Sequence, residues 1–133
     1  MLYRISYLAV VICIKSIRDW LNTTDRDNII TIGILVYSIV AFVDAATTTY
    51  ITRNGYPELN PFLAPFVEYV FALKLISVVL IFYVVWFGSE YLLKEGSNYI
   101  SNACIITATS IPSIMTLVAI VHNILFIIYM VGG

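Results

Sequence analysis

Four polar side chains interrupt long apolar stretches of this 133-residue sequence: Asp44, Lys74, His122 and Asn123. Ionisable residues inside apolar spans are costly, and they generally face a bundle interior or a water-filled cavity. An acid and a base in such places have two interpretations. They handle a proton, an ion or a polar solute, or they form a buried pair that holds helices together.

Asp44 and Lys74 are the two charged residues that are least compatible with an apolar surrounding. Asp44 shares a helical face with Ala41 and Thr48, which is the pattern of a helix–helix interface in lipid. The four-carbon stem of Lys74 brings its ammonium to the depth of Asp44. A buried lysine without an acid tends to lose its proton. We therefore predict an Asp44–Lys74 ion pair.

Two further features join these charges in the outer half of the predicted bundle. Asn123 lies on a polar stripe of the last apolar stretch, whereas His122 points about 100° away from it and is a possible ligand only. Asn60 before Pro61 has the pattern of a helix N-cap followed by proline at the first helical position. The sequence predicts an intramembrane polar cluster whose members are Asp44, Thr48, Glu58, Asn60, Lys74 and Asn123.

The composition requires a membrane to hold these residues. Hydrophobic residues make up 61% of the chain, charged residues 11%, and the mean hydropathy is +0.95. Soluble domains are about half apolar and about a quarter charged, so an ordinary soluble enzyme, a disordered tail and a nucleic-acid binder are excluded. Residues 29–52, 62–87 and 103–131 are each long enough to span a bilayer as a helix. Asp27 or Asn28 is the expected N-cap of the first span.

The uninterrupted apolar stretch of the N-terminal segment is too short to cross a bilayer as a helix. Only ten uncharged residues separate Arg4 from Lys15, about 15 Å of helix. Basic residues form a narrow stripe, which favours an interfacial helix, and a short fourth span is the alternative. The predicted fold is an all-α membrane protein. Residues 1–28 form this helix and a connector, and residues 29–133 form a bundle of three transmembrane helices.

The basic residues also predict an orientation in the cell membrane. Three of them precede the first long span and another follows the second: Lys15, Arg18, Arg26 and Lys94. By the positive-inside rule the connector 15–28 and the Lys94 loop are cytoplasmic, and the Glu58 loop and the C-terminus face outward.

Catalysis has little support in the sequence. The chain has one histidine, whereas a membrane metalloprotease needs clustered ligands. Lipoprotein signal peptidase chemistry needs two aspartates, and Asp44 is the only aspartate within a predicted span. Cys13 and Cys104 lie in apolar runs, which predicts two small buried side chains and no disulfide. We expect no metal and no cofactor.

The combined motifs resemble a known family. Asp44 followed by Thr48, the turn Glu58-Leu59-Asn60-Pro61, Lys74 and Asn123 together resemble a family of small three-span membrane proteins frequent in archaea and classed as a domain of unknown function. The resemblance covers about residues 30–130 and leaves out the N-terminal helix and His122. It implies a fold and no activity.

The functional expectation is therefore a non-catalytic accessory or structural subunit of a larger membrane complex. Its partners are the bilayer and other membrane subunits, reached through small-residue pairs such as Ala41/Ala45 and Thr109/Ser113. One alternative is a small transporter or channel component that uses Asp44 and Lys74. A second alternative is an intramembrane hydrolase that uses Asp44 and Glu58.

Overall fold

A computed structural model describes residues 2–58, 64–94 and 98–132, with side chains from residue 11 onward. Its elements are α1 (Leu2–Thr23), α2 (Arg26–Arg53), a short 3₁₀-helix (Ala64–Tyr69), α3 (Val70–Lys94) and α4 (Asn98–Gly132). The 3₁₀-helix leads directly into α3. We call the end of the bundle that carries the α1–α2 connector the connector end. The end that carries the segment after α2 is the loop end.

The predicted all-α membrane fold is confirmed. Of the helices in the described ranges, three are long and apolar enough to cross a membrane: Arg26–Arg53, Ala64–Lys94 and Asn98–Gly132. Each predicted span falls almost wholly within one of these helices. The helices extend beyond the apolar stretches because polar residues at the ends also satisfy their backbone hydrogen bonds by continuing the helix.

Helix α2 lies at the centre of the bundle and contacts both α3 and α4. Its small residues allow this close packing. Ala41 and Ala45 are completely buried. At Gly33, an added Cβ would lie 2.7 Å from the Thr109 hydroxyl oxygen of α4. Small side chains at helix interfaces let backbones approach closely in lipid. The face of α2 that carries Gly33, Ala41 and Ala45 therefore packs closely against its neighbours.

Apolar side chains form a compact core at the connector end. Its buried members are Ile29 and Ile30 of α2, Val85 of α3 and Ile105 of α4. Each of the three spanning helices contributes to this core. The start of α2, the end of α3 and the start of α4 therefore lie at the same end of the bundle.

Helix α1 is attached to this end through one buried amide. The Asn102 side chain donates hydrogen bonds from Nδ2 to the carbonyl oxygens of Leu21 (2.6 Å) and Thr24 (3.1 Å). These are carbonyls at the end of α1, where helical partners are missing. Asn102 thus joins α4 to the chain segment that leads into α2.

The connector between α1 and α2 is shorter than the sequence predicts. Helix α2 begins at Arg26, so the N-cap prediction of Asp27 or Asn28 is wrong, and Asp25 occupies that position without a side-chain capping bond. Helix α1 continues to Thr23 because hydroxyls at its end bond back to its own backbone. Thr24, for example, donates to the Trp20 carbonyl over 2.7 Å. Most of the polar connector is therefore helical.

The rest of α1 packs on little. Among the described elements it contacts α4, and its side chains from Val11 to Trp20 are all exposed. The interfacial helix stays a prediction, and so does its alternative, a short fourth span.

The prediction that Cys13 and Cys104 are buried is wrong, since both are exposed. Lipid tails are as apolar as a protein core, so apolar side chains in a membrane gain little from burial.

Candidate functional site

Three helices bring charged and amide groups together towards the loop end. Helix α2 supplies Asp44, and α3, which runs in the opposite direction, supplies Lys74. The Lys74 ammonium nitrogen lies 2.6 Å from Asp44 Oδ2. This is the spacing of a charge-assisted hydrogen bond. The structure therefore pairs the two residues.

The ion pair is shielded by the bundle. Asp44 is buried and the Lys74 side chain is 18% exposed. A buried charge is strongly unfavourable alone, and a paired one is tolerated when further hydrogen bonds satisfy it. The two opposite charges cancel, so the site is close to neutral as a unit.

Helix α4 completes the site with a side-chain amide. Asn123 Nδ2 lies 3.4 Å from Asp44 Oδ1, 3.2 Å from Thr47 Oγ1 and 3.3 Å from Thr48 Oγ1. An amide nitrogen has two hydrogens, so it shares them among three acceptors. We call Asp44, Thr47, Thr48, Lys74 and Asn123 the polar network.

Thr47 is the member of the network that the predicted cluster leaves out. Its hydroxyl donates to the Asp44 backbone carbonyl over 3.0 Å and accepts from Asn123. The run of threonines from Thr47 to Thr49 is the signal for it in the sequence, but helical spacing alone favours Thr48 over its neighbours.

A second polar contact continues along the α2–α3 interface. The Tyr37 and Ser77 hydroxyl oxygens lie 3.0 Å apart, and the Ser77 hydroxyl also bonds to the Lys74 carbonyl over 2.7 Å. Tyr37 is buried. These side chains were not among the predicted site residues, although Tyr37 lies on the same helical face as Asp44.

Glu58 and His122 lie beside Thr48 and Asn123 of the polar network, around one cavity. A small cavity of about 20 Å³ is lined by polar and apolar side chains from the loop, α2 and α4. We call it the loop-end cavity. Its lining residues are Thr48, Ile51, Pro57, Glu58, His122, Asn123 and Phe126. His122 and Asn123 both reach it, although they point to different sides of α4. Asn60, with its predicted N-cap role, lies outside the described residues.

The polar network joins α2, α3 and α4 through an ion pair and side-chain hydrogen bonds. Within the described ranges, no three histidine, cysteine or acidic side chains are grouped so that they could hold a metal ion. The network contributes one acid, and that acid is engaged by Lys74 and Asn123. General acid–base work by two carboxylates requires a second acid with a pKa set apart from the first.

Two grooves flank α4 in the described part of the chain. The first has a volume of about 570 Å³ and lies between the end of α1, α2 and α4, with Gly33, Thr109 and Ser113 among its lining residues. The second, of about 540 Å³, follows the outer face of α4. Its lining residues are Tyr99, Ile100, Ala103, Cys104, Thr107, Ala108, Ile111 and Pro112. We call the second one the outer α4 groove.

Comparison with known proteins adds no relative. No protein-family model, no curated protein and no solved structure matches this chain significantly. The resemblance to small three-span proteins of archaeal type stays a prediction. The functional argument therefore depends on the fold, the polar network and the grooves beside α4.

Proposed function

We propose that this protein is a non-catalytic subunit of a larger membrane assembly, and that partner helices pack in the outer α4 groove. The observation that carries the proposal is the contrast along α4. The middle of the groove is lined by small residues such as Ala103, Cys104 and Ala108, with Tyr99 and Ile111 towards its ends. Closer to the loop end, the exposed face carries large ones such as Val118 and Leu125. Small residues favour close helix approach, whereas large apolar ones suit lipid.

The small-residue pairs that the sequence predicts to contact partners lie at helix interfaces within the bundle. Ala41 and Ala45 are buried, and Thr109 packs against Gly33. Ala41 and Ala45 hold α2 in the bundle and are not accessible to a partner, whereas Gly33, Thr109 and Ser113 line the first groove. The outer α4 groove is a small-residue surface on the exposed side of α4.

The polar network supports a structural role. Its charges neutralise one another within hydrogen-bonding distance. The Asn123 amide bonds to the Asp44 carboxylate, and the Thr47 hydroxyl bonds to the Asp44 backbone carbonyl. Such an arrangement favours one packing of three helices over alternatives, because any shift leaves a charge unpaired in an apolar surrounding.

The proposal is tested by purification from native membranes in mild detergent. We expect the chain to co-migrate with other subunits in a fixed ratio. Ala108→Phe fills the outer α4 groove and should abolish co-migration. Val118→Phe, which places the same large side chain on an exposed part of the same helix, should leave it intact. A lone homo-oligomer with a wet cavity lined by Asp44 contradicts the proposal.

A transporter or channel component is the second candidate, and one observation favours it. Asn123, which bonds to Asp44, also lines a cavity that reaches Glu58 and His122 near the loop end. Intramembrane ionisable groups in this setting mark ion and proton pathways in other proteins. Flux of protons or ions into liposomes that contain the purified chain, lost in Lys74→Met, would favour this candidate over the first.

The orientation in the membrane is part of the proposal. We propose that the connector and the Lys94 segment face the cytoplasm, because they carry most basic residues near the span ends. Single cysteines that replace Lys94 or Glu58 in a Cys13→Ser/Cys104→Ser background provide the test. An impermeant maleimide added to intact cells should label the Glu58→Cys variant and leave the Lys94→Cys variant unlabelled.

A further inference from the structure

The loop-end cavity has the size and the lining of a site for a single water molecule. Its volume is about 20 Å³, and one water needs about 10–15 Å³. A lipid chain or an organic solute is far larger than this space. We propose that one water molecule binds in the loop-end cavity and joins the loop after α2 to the polar network.

The polar lining satisfies what a buried water requires. An internal water makes about three hydrogen bonds, with a range of two to four. Four polar side chains line the cavity: Thr48, Glu58, His122 and Asn123. The apolar remainder of the described lining, Ile51, Pro57 and Phe126, does not compete for hydrogen bonds.

The bonds already made by the network leave capacity for this water. The Thr48 hydroxyl accepts one hydrogen bond from Asn123 Nδ2. A hydroxyl has two acceptor sites and one donor, so Thr48 can engage the water while it keeps its bond to Asn123. The water then lies beside the Asn123 amide, which also contacts Asp44.

The site connects parts of the chain that are distant in sequence. Glu58 comes from the segment after α2, Thr48 from α2 itself, and His122 and Asn123 from α4. A water shared among them fixes the loop against two helices at the point where the buried ion pair approaches the bundle end. This inference does not depend on the proposed subunit function, because it assigns a ligand to a cavity that packing with partners does not involve.

The test measures magnetisation transfer from water by NMR on the full, isotope-labelled chain in deuterated detergent. We expect cross-relaxation peaks between water and both the Asn123 side-chain amide and the Thr48 methyl group. In Thr48→Val these peaks to Asn123 should be lost, because the isosteric valine removes one hydrogen-bonding partner. Thr48→Ser keeps the hydroxyl and should keep the peaks.

Thr52→Val is the matched control. Thr52 lies one turn further along α2, its hydroxyl bonds to the carbonyls of Thr48 and Thr49, and it does not line the cavity. Its variant should retain the water peaks. The inference is overturned if the wild-type chain gives no peaks, or if Thr48→Val and Thr52→Val give equal ones. It is also overturned if Na⁺, and not choline, shifts the Thr48 and Asn123 signals to saturation, since the occupant is then a cation.

Discussion

The two ends of the bundle are held together by different chemistry. At the connector end, Ile30 and Ile105 pack in an apolar core beside Asn102, a neutral amide that binds carbonyl groups. Towards the loop end, the Asp44–Lys74 pair and Asn123 occupy the corresponding place between the helices. Apolar packing alone distinguishes poorly between a helix and lipid. Polar contacts at both ends therefore choose the register of the helices, and at the loop end these contacts include a buried pair of opposite charges.

The largest effect is expected from breaking the ion pair. Lys74→Met should destabilise the bundle by about 3 kcal/mol, because removing one partner leaves a buried charge uncompensated. Asp44→Asn should have a similar effect. Reversible unfolding in mixed detergent micelles, followed by circular dichroism, measures this change.

The double variant Asp44→Asn/Lys74→Met sharpens the result. With both charges removed, its stability should be closer to that of the wild type than either single variant's. If the double variant is as unstable as the sum of the two singles, the pair does not act as a unit.

Gly33 tests the close contact between the two ends. Gly33→Ala should cost about 2 kcal/mol by overpacking, because the new Cβ would meet the Thr109 side chain at 2.7 Å and 3.0 Å. Thr109 is buried and its hydroxyl is bonded to the Ile105 carbonyl, so it moves with difficulty. The same unfolding assay applies. Gly88→Ala is the control, since an added Cβ there has no neighbour within 4 Å, and it should not destabilise the helix.

Asn102 tests the connector end of the comparison. Asn102→Ala removes both hydrogen bonds to the end of α1 and should cost about 1.5 kcal/mol. Hydrogen exchange should accelerate in α1 and hardly change around Asp44. Asn54→Ala also removes an amide bond to a helix carbonyl, at an exposed position, and should have little effect. Equal acceleration throughout the bundle would mean that the two ends do not unfold separately.

The smallest effect is expected midway between the ends. Tyr37→Phe removes the 3.0 Å contact with Ser77, and hydrogen bonds between membrane helices contribute about 0.6 kcal/mol on average. A double-mutant cycle with Ser77→Ala measures the coupling. A coupling energy near zero would limit the polar contribution between α2 and α3 to the ion pair.

Much of the loop-end site was predictable from residue types and depth. Asp44, Lys74 and Asn123 are polar residues within apolar stretches. Because the rise per residue of an α-helix is known, counting along each span places the three at a similar depth in the membrane. Thr47 and the Tyr37–Ser77 contact were not predicted, because several hydroxyls lie near the interface and only the rotation of each helix selects among them. The same limit explains the small residues. Ala41/Ala45 was expected to meet partners and lies instead inside the bundle.

The sequence by itself determined the class of fold and the number of long spans, because hydropathy and helix length are properties of each segment alone. It also singled out the charges that lipid does not explain. The tertiary structure decided which faces meet: α2 in the centre, Asn102 at the end of α1, and the outer α4 groove left exposed. In a membrane every face of a span is apolar enough for lipid, so the pattern of one helix does not identify its neighbours. Close packing of small residues and pairing of polar groups, both of which need a second helix, make that choice.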